Sequence, residues 1–165
     1  MMTSFRSIRI ATALALASSL TGFAFGADTT NQPTLTLEGG KRAVAAAIEY
    51  ARSHGAPGGS IAVVDAGGSI VYVERLEGSF PASADVSIGK ARTAVRFRRP
   101  SEVFAALSAT PAGGFLPTLS DPPPVASPGG FPLVENGKII GAIGCSGATG
   151  PQDAVACKAG AETIK

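Results

Sequence analysis

Residues 138–153 read Lys-Ile-Ile-Gly-Ala-Ile-Gly-Cys-Ser-Gly-Ala-Thr-Gly-Pro-Gln-Asp, and this stretch decides the fold. The branched apolar residues in its first half favour a buried strand, and the Ser-Gly-Ala-Thr-Gly segment after them predicts a tight loop. Pro151 suits the start of a helix, because proline at the first helical position loses no hydrogen bond. Asp153 suits the positive end of the same helix dipole. The stretch therefore predicts a strand, a glycine loop and a helix.

A loop of this kind is also a candidate anion site, because glycine amides and a helix N-terminus bind anions without side chains. The glycines at positions 144, 147 and 150 do not match the spacing of a dinucleotide-binding loop, and no Walker lysine follows. A structural role is favoured, and a small-anion site is the alternative.

Two hairpins are predicted on either side of the chain's centre. Phe131–Glu135 and Lys138–Cys145 flank Asn136-Gly137, a strong signal for a type I′ turn. Residues 60–65 and 69–74 flank a second glycine-containing turn. Because hairpins pair neighbouring strands antiparallel, we expect a single α+β domain with a mainly antiparallel sheet of about five strands, flanked by helices.

Helical patterns fill most of the remaining chain. Thr36 is a good N-cap for a first helix, which the apolar spacing carries to about Ser53-His54-Gly55. Residues 84–97 predict a second helix that ends before Pro100, and residues 101–107 a short third one. Residues 108–130 form a long stretch rich in proline and glycine, which predicts a lid, a subunit contact or a poorly ordered loop.

The N-terminus has the pattern of a secretory signal. Residues 1–26 combine a basic start, an apolar core and a small-x-small end, so we expect a signal peptide at 1–26, a flexible leader at 27–34 and the domain at 35–165. An uncleaved anchor is the alternative, and no later segment is long enough to span a membrane. The expected location is periplasmic or secreted.

The charge balance is neutral once this segment is removed. Removing Arg6 and Arg9 leaves 12 basic against 12 acidic residues, which gives no electrostatic case for nucleic acid. On one helix, Arg92, Arg96 and Arg99 would lie along one side. This stripe is interpreted as a solvated face, with an anion or subunit contact as the alternative.

Few residues offer metal or acid–base chemistry. The single histidine, His54, lies at a predicted helix end and is interpreted as a surface or capping residue, with a metal or haem ligand as the alternative. Both methionines are in the signal segment, and the chain has no Cys-x-x-Cys-His motif for covalent haem. Asp65 is interpreted as a turn-stabilising residue. No catalytic set can be assembled, and any metal site is unknown.

Four segments carry a family resemblance: residues 61–68, 88–94, 129–133 and the opening stretch 138–153. In this order they resemble the GlcG/HbpS haem-binding family, also labelled haem-degrading, over residues 35–161. The resemblance implies reversible binding of haem or a related tetrapyrrole in uptake, buffering or redox sensing, with self-association into a homo-oligomer. The alternatives are a small-molecule enzyme or accessory protein of a catabolic pathway that binds no haem, and a purely structural oligomer.

The resemblance also points to ligand-binding residues. It implies Lys90 and Thr93, with the Thr93 hydroxyl near the iron and neighbouring cations facing the propionates; helix-surface and packing roles are the alternative for both. Arg75 is a third candidate contact. The family commonly reads Arg-Met-Asp-Gly-Ala at this place, and this chain has Arg75-Leu-Glu-Gly-Ser79, where Leu76 removes a soft ligand. If haem is bound tightly, Tyr50, Tyr72 or a lysine are the other candidate ligands for the iron.

Cys145 and Cys157 are predicted to form a disulfide. Export places them in an oxidising compartment, and the predicted helix folds back beside the strand that ends at Cys145. Closing so short a loop stabilises a protein by about 3 kcal/mol in the chain-entropy model. Two separate buried thiols are the alternative.

Overall fold

A computed structural model of the protein describes residues 28–56 and 59–165. The predicted signal peptide, residues 1–26, lies outside the described residues. Residues Asn31–Lys165 form a compact unit. No helix within the described ranges is long and apolar enough to cross a membrane.

The sheet contains strands β1 (Ser60–Asp65), β2 (Ile70–Arg75), β3 (Gly130–Glu135) and β4 (Lys138–Ser146). They pair antiparallel throughout, in the order β2-β1-β4-β3. The antiparallel α+β architecture confirms the prediction, but the sheet of the described chain has four strands where about five were expected. The proline-rich stretch supplies no fifth strand, because proline cannot donate to a ladder.

Both predicted hairpin turns are present. Asn136 and Gly137 have φ values of 49° and 75°, the two positive values that a type I′ turn requires. At the first turn, Oδ1 of Asp65 accepts hydrogen bonds from the amides of Gly67 and Ser69. Asp65 therefore stabilises the turn, as the sequence indicated.

Within the described residues, four α-helices accompany the sheet: α1 (Leu37–Ser53), α2 (Ser83–Phe97), α3 (Glu102–Ser108) and α4 (Gly150–Ala161). Thr36 caps α1 by accepting from the Gly39 amide, and Thr149 with Gln152 forms a capping box on α4. Arg98 has a left-handed φ of 54° and ends α2. Arg99 therefore lies beyond the helix, and the predicted stripe is reduced to Arg92 and Arg96.

The stretch 108–130 has more local structure than its composition predicts. Residues Pro111–Thr118 form a 3-10 helix beside α3, and the chain then returns along α2 through Pro122, Pro123 and Pro124. A short 3-10 helix can contain several prolines and glycines because it is held by only a few backbone hydrogen bonds.

The helices cover the two faces of the sheet. Apolar residues of α1 and α4 pack with Val63, Ile143 and neighbouring strand residues on one face, while α2 packs on Val64 and Ala142 on the other. Gly144 lies so close to the Ser87 carbonyl that a Cβ there would collide with it. The glycine spacing of β4 thus allows α2 to rest directly on the strand backbone.

The predicted disulfide is present between Cys145 at the end of β4 and Cys157 in α4, with Cα atoms 5.7 Å apart. Both residues belong to the core on the α1 and α4 face. The bond closes the strand–loop–helix unit that the opening stretch of sequence predicted.

Candidate functional site

A buried ion pair lies behind the glycine loop. Lys90 of α2 is 2% exposed, and its Nζ lies 2.8 Å from Oδ2 of Asp153 in α4 and 2.8 Å from the carbonyl oxygen of Cys145. The other carboxylate oxygen of Asp153 accepts from the Ala148 amide at 3.0 Å. The Asp153 carboxylate thus occupies the loop at which the small-anion alternative was placed.

Three of the sequence segments that carry the family resemblance meet at this pair. Gly129 has a φ of +114°, and a Cβ there would lie 2.9 Å from Cβ of Asp153 and 3.1 Å from Nζ of Lys90. Its carbonyl oxygen accepts from the Cys145 amide at 2.8 Å. Segments 88–94, 129–133 and 138–153 therefore share a structural centre that joins α2, β3, β4 and α4.

A cleft of about 410 Å³ runs along the opposite, outward side of α2. One wall is the helix itself and the other is the returning proline-rich segment. Its lining comprises Ile70, Asp85, Ile88, Gly89, Arg92, Thr93, Arg96, Phe97, Ser120, Pro122, Pro123, Pro124 and Val125. The walls are mainly apolar, and the volume lies within the range of small-molecule sites.

Two arginines supply the positive charge of the cleft, which Asp85 also lines. Nε of Arg92 donates to the Gly68 carbonyl at 3.1 Å, and Nη1 of Arg96 lies 3.4 Å from the Asp121 carbonyl. The ion pairs found among the described residues are Lys41–Glu38 and Lys90–Asp153, so neither arginine has a carboxylate partner there. Each guanidinium retains N–H groups that can bind an anion.

Thr93 holds the two walls together. Its Oγ1 donates to the Gly89 carbonyl at 2.8 Å and accepts from the Val125 amide at 2.9 Å. A Cβ at Gly89 would lie 2.5 Å from Cγ2 of Val125, so only glycine lets the segment approach the helix this closely. Thr93 thus fixes the proline-rich wall to α2.

The structure brings the predicted site residues together only in part. Lys90 and Thr93 are one helical turn apart, but Lys90 reaches the core and Thr93 faces the cleft wall. Arg75 lies at the exposed end of β2, where its guanidinium donates to the Ser79 carbonyl at 2.7 Å. It is not among the lining residues. The ligand-binding roles of all three stay predictions.

The other candidate ligands lie away from the cleft. His54 caps the C-terminus of α1 and stacks on Tyr50, with ring centroids 3.9 Å apart. Tyr72 pairs with Val63, a residue of the α1 face, and donates to Glu74 at 3.1 Å. Within the described part of the chain, no cluster of three or more His, Cys, Asp or Glu side chains could hold a metal ion.

Sequence reasoning missed two features of this region. It placed Asp153 at a helix dipole without identifying Lys90 as its partner 63 positions earlier. It named an anion or subunit contact only as the alternative to a solvated arginine face, and it did not place residues 120–125 beside Arg92 and Arg96. A signal was present in the helical spacing of Ile88, Arg92 and Arg96, since residues three or four apart share one side of a helix.

Comparison with known proteins shows which family this sequence matches. A family model described as "Haem degrading protein HbpS-like" matches residues 35–162. The chain is 37% identical over 92 residues to an uncharacterised 15.0 kDa protein of Citrobacter freundii, covering 55% of this chain and 65% of that one. It is 38% identical over 87 residues to GlcG of Escherichia coli K12, covering 53% and 63%. The matches span less than two thirds of these two relatives.

Solved structures match over more of the chain. HbpS of Streptomyces reticuli, solved as a double mutant, superposes with a TM-score of 0.75 at 31% identity and covers 95% of this chain and 99% of its own. ORFY of Klebsiella pneumoniae gives a TM-score of 0.78 at 24% identity, covering 84% and 96%. At that identity the ORFY match establishes the fold alone.

Proposed function

This chain belongs to the HbpS-like family of haem-degrading proteins, and on that premise we propose that it binds haem or a related tetrapyrrole in the cleft along α2. The role is that of an exported binding protein in uptake, buffering or redox sensing. The observation that carries the proposal is the pair of arginines, Arg92 and Arg96, in a cleft with mainly apolar walls. Among the described residues neither arginine forms an ion pair, and the one carboxylate that lines the cleft is Asp85.

The residues of the cleft fit both the apolar ring of a haem and its two charged propionates. The ring is a large apolar plate, and Ile88, Phe97 and Val125 offer apolar walls for it. The two propionates lie on one edge of the ring. Arg92 and Arg96 lie one turn apart on one side of the helix, with Cβ atoms about 5–6 Å apart, and guanidinium groups bind carboxylates through paired hydrogen bonds.

The predicted residues have different places in this proposal. Thr93 lies at the wall and holds Val125 against the helix. Lys90 supports α2 from the core through Asp153. Arg75 would have to contact the ligand from outside the cleft, because its guanidinium is at the far end of β2.

Export and self-association belong to the proposal as well. The signal pattern at residues 1–26 supports export, and a disulfide between Cys145 and Cys157 suits an oxidising compartment. We propose a homo-oligomer outside the cytoplasm.

A haemin titration of the purified protein, followed by the Soret band, tests the proposal. We expect a saturable, stoichiometric shift at micromolar haemin. Arg92→Glu/Arg96→Glu should lose at least about tenfold in affinity, because two charge-assisted contacts become repulsive. Arg42→Glu/Arg52→Glu makes the same charge change on α1 and should bind normally. No saturable shift, or equal losses in both variants, would refute the proposal.

A smaller amphipathic carboxylate is the second candidate ligand, as expected for an accessory protein or small-molecule enzyme of a catabolic pathway. The same two arginines and apolar walls favour it. Aromatic and branched-chain carboxylates should then raise the Tm of the protein while haemin fails to saturate it.

A further inference from the structure

The side chains around the cleft include few that could ligate the iron of a haem. Haem iron in proteins is held by the side chains of His, Cys, Met or Tyr. None of these residue types lines the cleft in the part of the chain that the structure describes. The ring of a bound tetrapyrrole would therefore meet apolar side chains, backbone and arginines.

The side chains of the described residues that ligate haem iron well lie away from the cleft. His54 and Tyr50 stack together at the end of α1, and α1 packs on the face of the sheet opposite α2. Both cysteines are joined in the disulfide. Tyr72 faces the α1 side and donates to Glu74. The two methionines are residues 1 and 2, outside the described residues.

The oxygen donors of the cleft are poor replacements. Oγ1 of Thr93 already donates to Gly89 and accepts from Val125, and deprotonation to ligate iron would remove the bond to Gly89. Ser120 donates to the Pro122 carbonyl at 2.8 Å. Asp85 remains, an exposed carboxylate in the first turn of α2. Carboxylates are not among the usual ligands of haem iron.

The groups of the cleft that can bind carboxylates are its two arginines. Arg92 and Arg96 each have N–H groups beyond those bound to carbonyls. They are matched to two carboxylates on one edge of a ring. The metal at the centre of that ring has no comparable partner in the described cleft.

We infer that the cleft recognises a tetrapyrrole by its carboxylate edge and its apolar faces, and binds the metal-free ring as tightly as haem. This inference rests on the proposed function and gives its ligand class: dicarboxylate tetrapyrroles, with or without a metal. Blocking the carboxylates should weaken binding, whereas removing the metal should not.

Titration of the purified protein with three probes tests the inference. The probes are haemin, metal-free protoporphyrin IX and protoporphyrin IX dimethyl ester, and binding is followed by absorbance and porphyrin fluorescence. We expect dissociation constants for haemin and protoporphyrin IX within about threefold of each other, and at least about tenfold weaker binding of the diester. The Arg92→Glu/Arg96→Glu variant should lose the preference for free carboxylates, and Arg42→Glu/Arg52→Glu should keep it.

The spectrum of bound haemin supplies a second readout. Asp85→Asn should leave its Soret maximum unchanged, because this carboxylate, the one acidic side chain that lines the described cleft, does not ligate the iron. Haemin binding more than about tenfold tighter than protoporphyrin IX, or a Soret shift in Asp85→Asn, would overturn the inference while leaving the proposed function standing. If neither ring binds, the proposed function itself fails and this inference falls with it.

Discussion

Nζ of Lys90 lies 2.8 Å from Oδ2 of Asp153 in the interior of the protein, with the two side chains 2% and 7% exposed. The pair joins α2 to α4 across the end of β4, and Lys90 also donates to the Cys145 carbonyl. Every polar partner of the ammonium is therefore internal. Segments that carry the family resemblance meet here, and the cleft lies on the other side of α2.

Removing one member of this pair should destabilise the protein strongly. Lys90→Met leaves the Asp153 carboxylate buried without its counterion, which costs about 3–5 kcal/mol of unfolding free energy. Lys41→Met is the matched control, because Lys41 forms an exposed pair with Glu38 at 3.6 Å that contributes at most about 1 kcal/mol. Urea unfolding measures both. A Lys90→Met variant as stable as Lys41→Met would refute the buried-pair role.

The double variant Lys90→Met/Asp153→Leu should recover part of that loss. Replacing both charges removes the unpaired carboxylate, although the bonds to Cys145 and Ala148 are also lost. A double variant less stable than Lys90→Met by the full cost of Asp153→Leu would show that the two residues act independently.

Gly129→Ala should be among the most destabilising alanine substitutions of a glycine with positive φ. The added Cβ meets the Asp153 side chain at 2.9 Å at a φ of +114°, and strain with overpacking together cost about 2–5 kcal/mol. Gly137→Ala is the control, since its φ is also positive but no atom lies within 4 Å of the added Cβ. Equal losses in thermal or urea unfolding would contradict the packing argument.

Reduction of the disulfide should lower the free energy of unfolding by about 3 kcal/mol, the value for a loop of this length. Without reductant, alkylation and mass spectrometry should find no free thiol at Cys145 or Cys157. Cys145→Ser/Cys157→Ser should match the reduced wild type in urea. Two alkylatable thiols in unreduced protein isolated from the periplasm would show that the bond does not form there.

Tyr72 should ionise at a higher pH than its ordinary pKa of 10.0. Its hydrogen bond to Glu74, followed by the negative charge of that carboxylate and by burial, raises the pKa of the phenol. Absorbance titration of Glu74→Gln should move the pKa back towards 10.0. Because the folded pKa is the higher one, the interaction stabilises the protein fully below pH 10 and is lost as the pH rises through the folded pKa. An unchanged titration in Glu74→Gln would exclude this cause.

Thr93→Val should loosen the proline-rich wall of the cleft while preserving side-chain shape. The Val125 amide loses its acceptor at 2.9 Å, so its hydrogen exchange should accelerate by about tenfold, corresponding to the loss of one ordinary hydrogen bond. Thr118→Val is the control, because Thr118 only donates to its own 3-10 helix at Phe115. Unchanged exchange at Val125 would show that Thr93 does not hold the wall.

The sequence by itself determined the features that depend on near neighbours. The N-cap at Thr36, the Asn136-Gly137 turn, the antiparallel hairpins and the strand–loop–helix unit all follow from residue preferences within a few positions. The disulfide was predictable for a related reason, since Cys145 and Cys157 belong to one local unit that folds back on itself.

The tertiary structure alone decided what the polar residues of α2 do. Helical spacing determines which side of α2 carries each of four residues: Lys90, Arg92, Thr93 and Arg96. It does not determine which of those sides is covered by another segment of the chain. Lys90 is buried because Asp153 arrives from 63 positions away. Arg92 and Arg96 line a cleft because the segment from Ser120 to Val125 returns beside them. The free energy of a charge depends on its surroundings, and those surroundings come from distant parts of the chain.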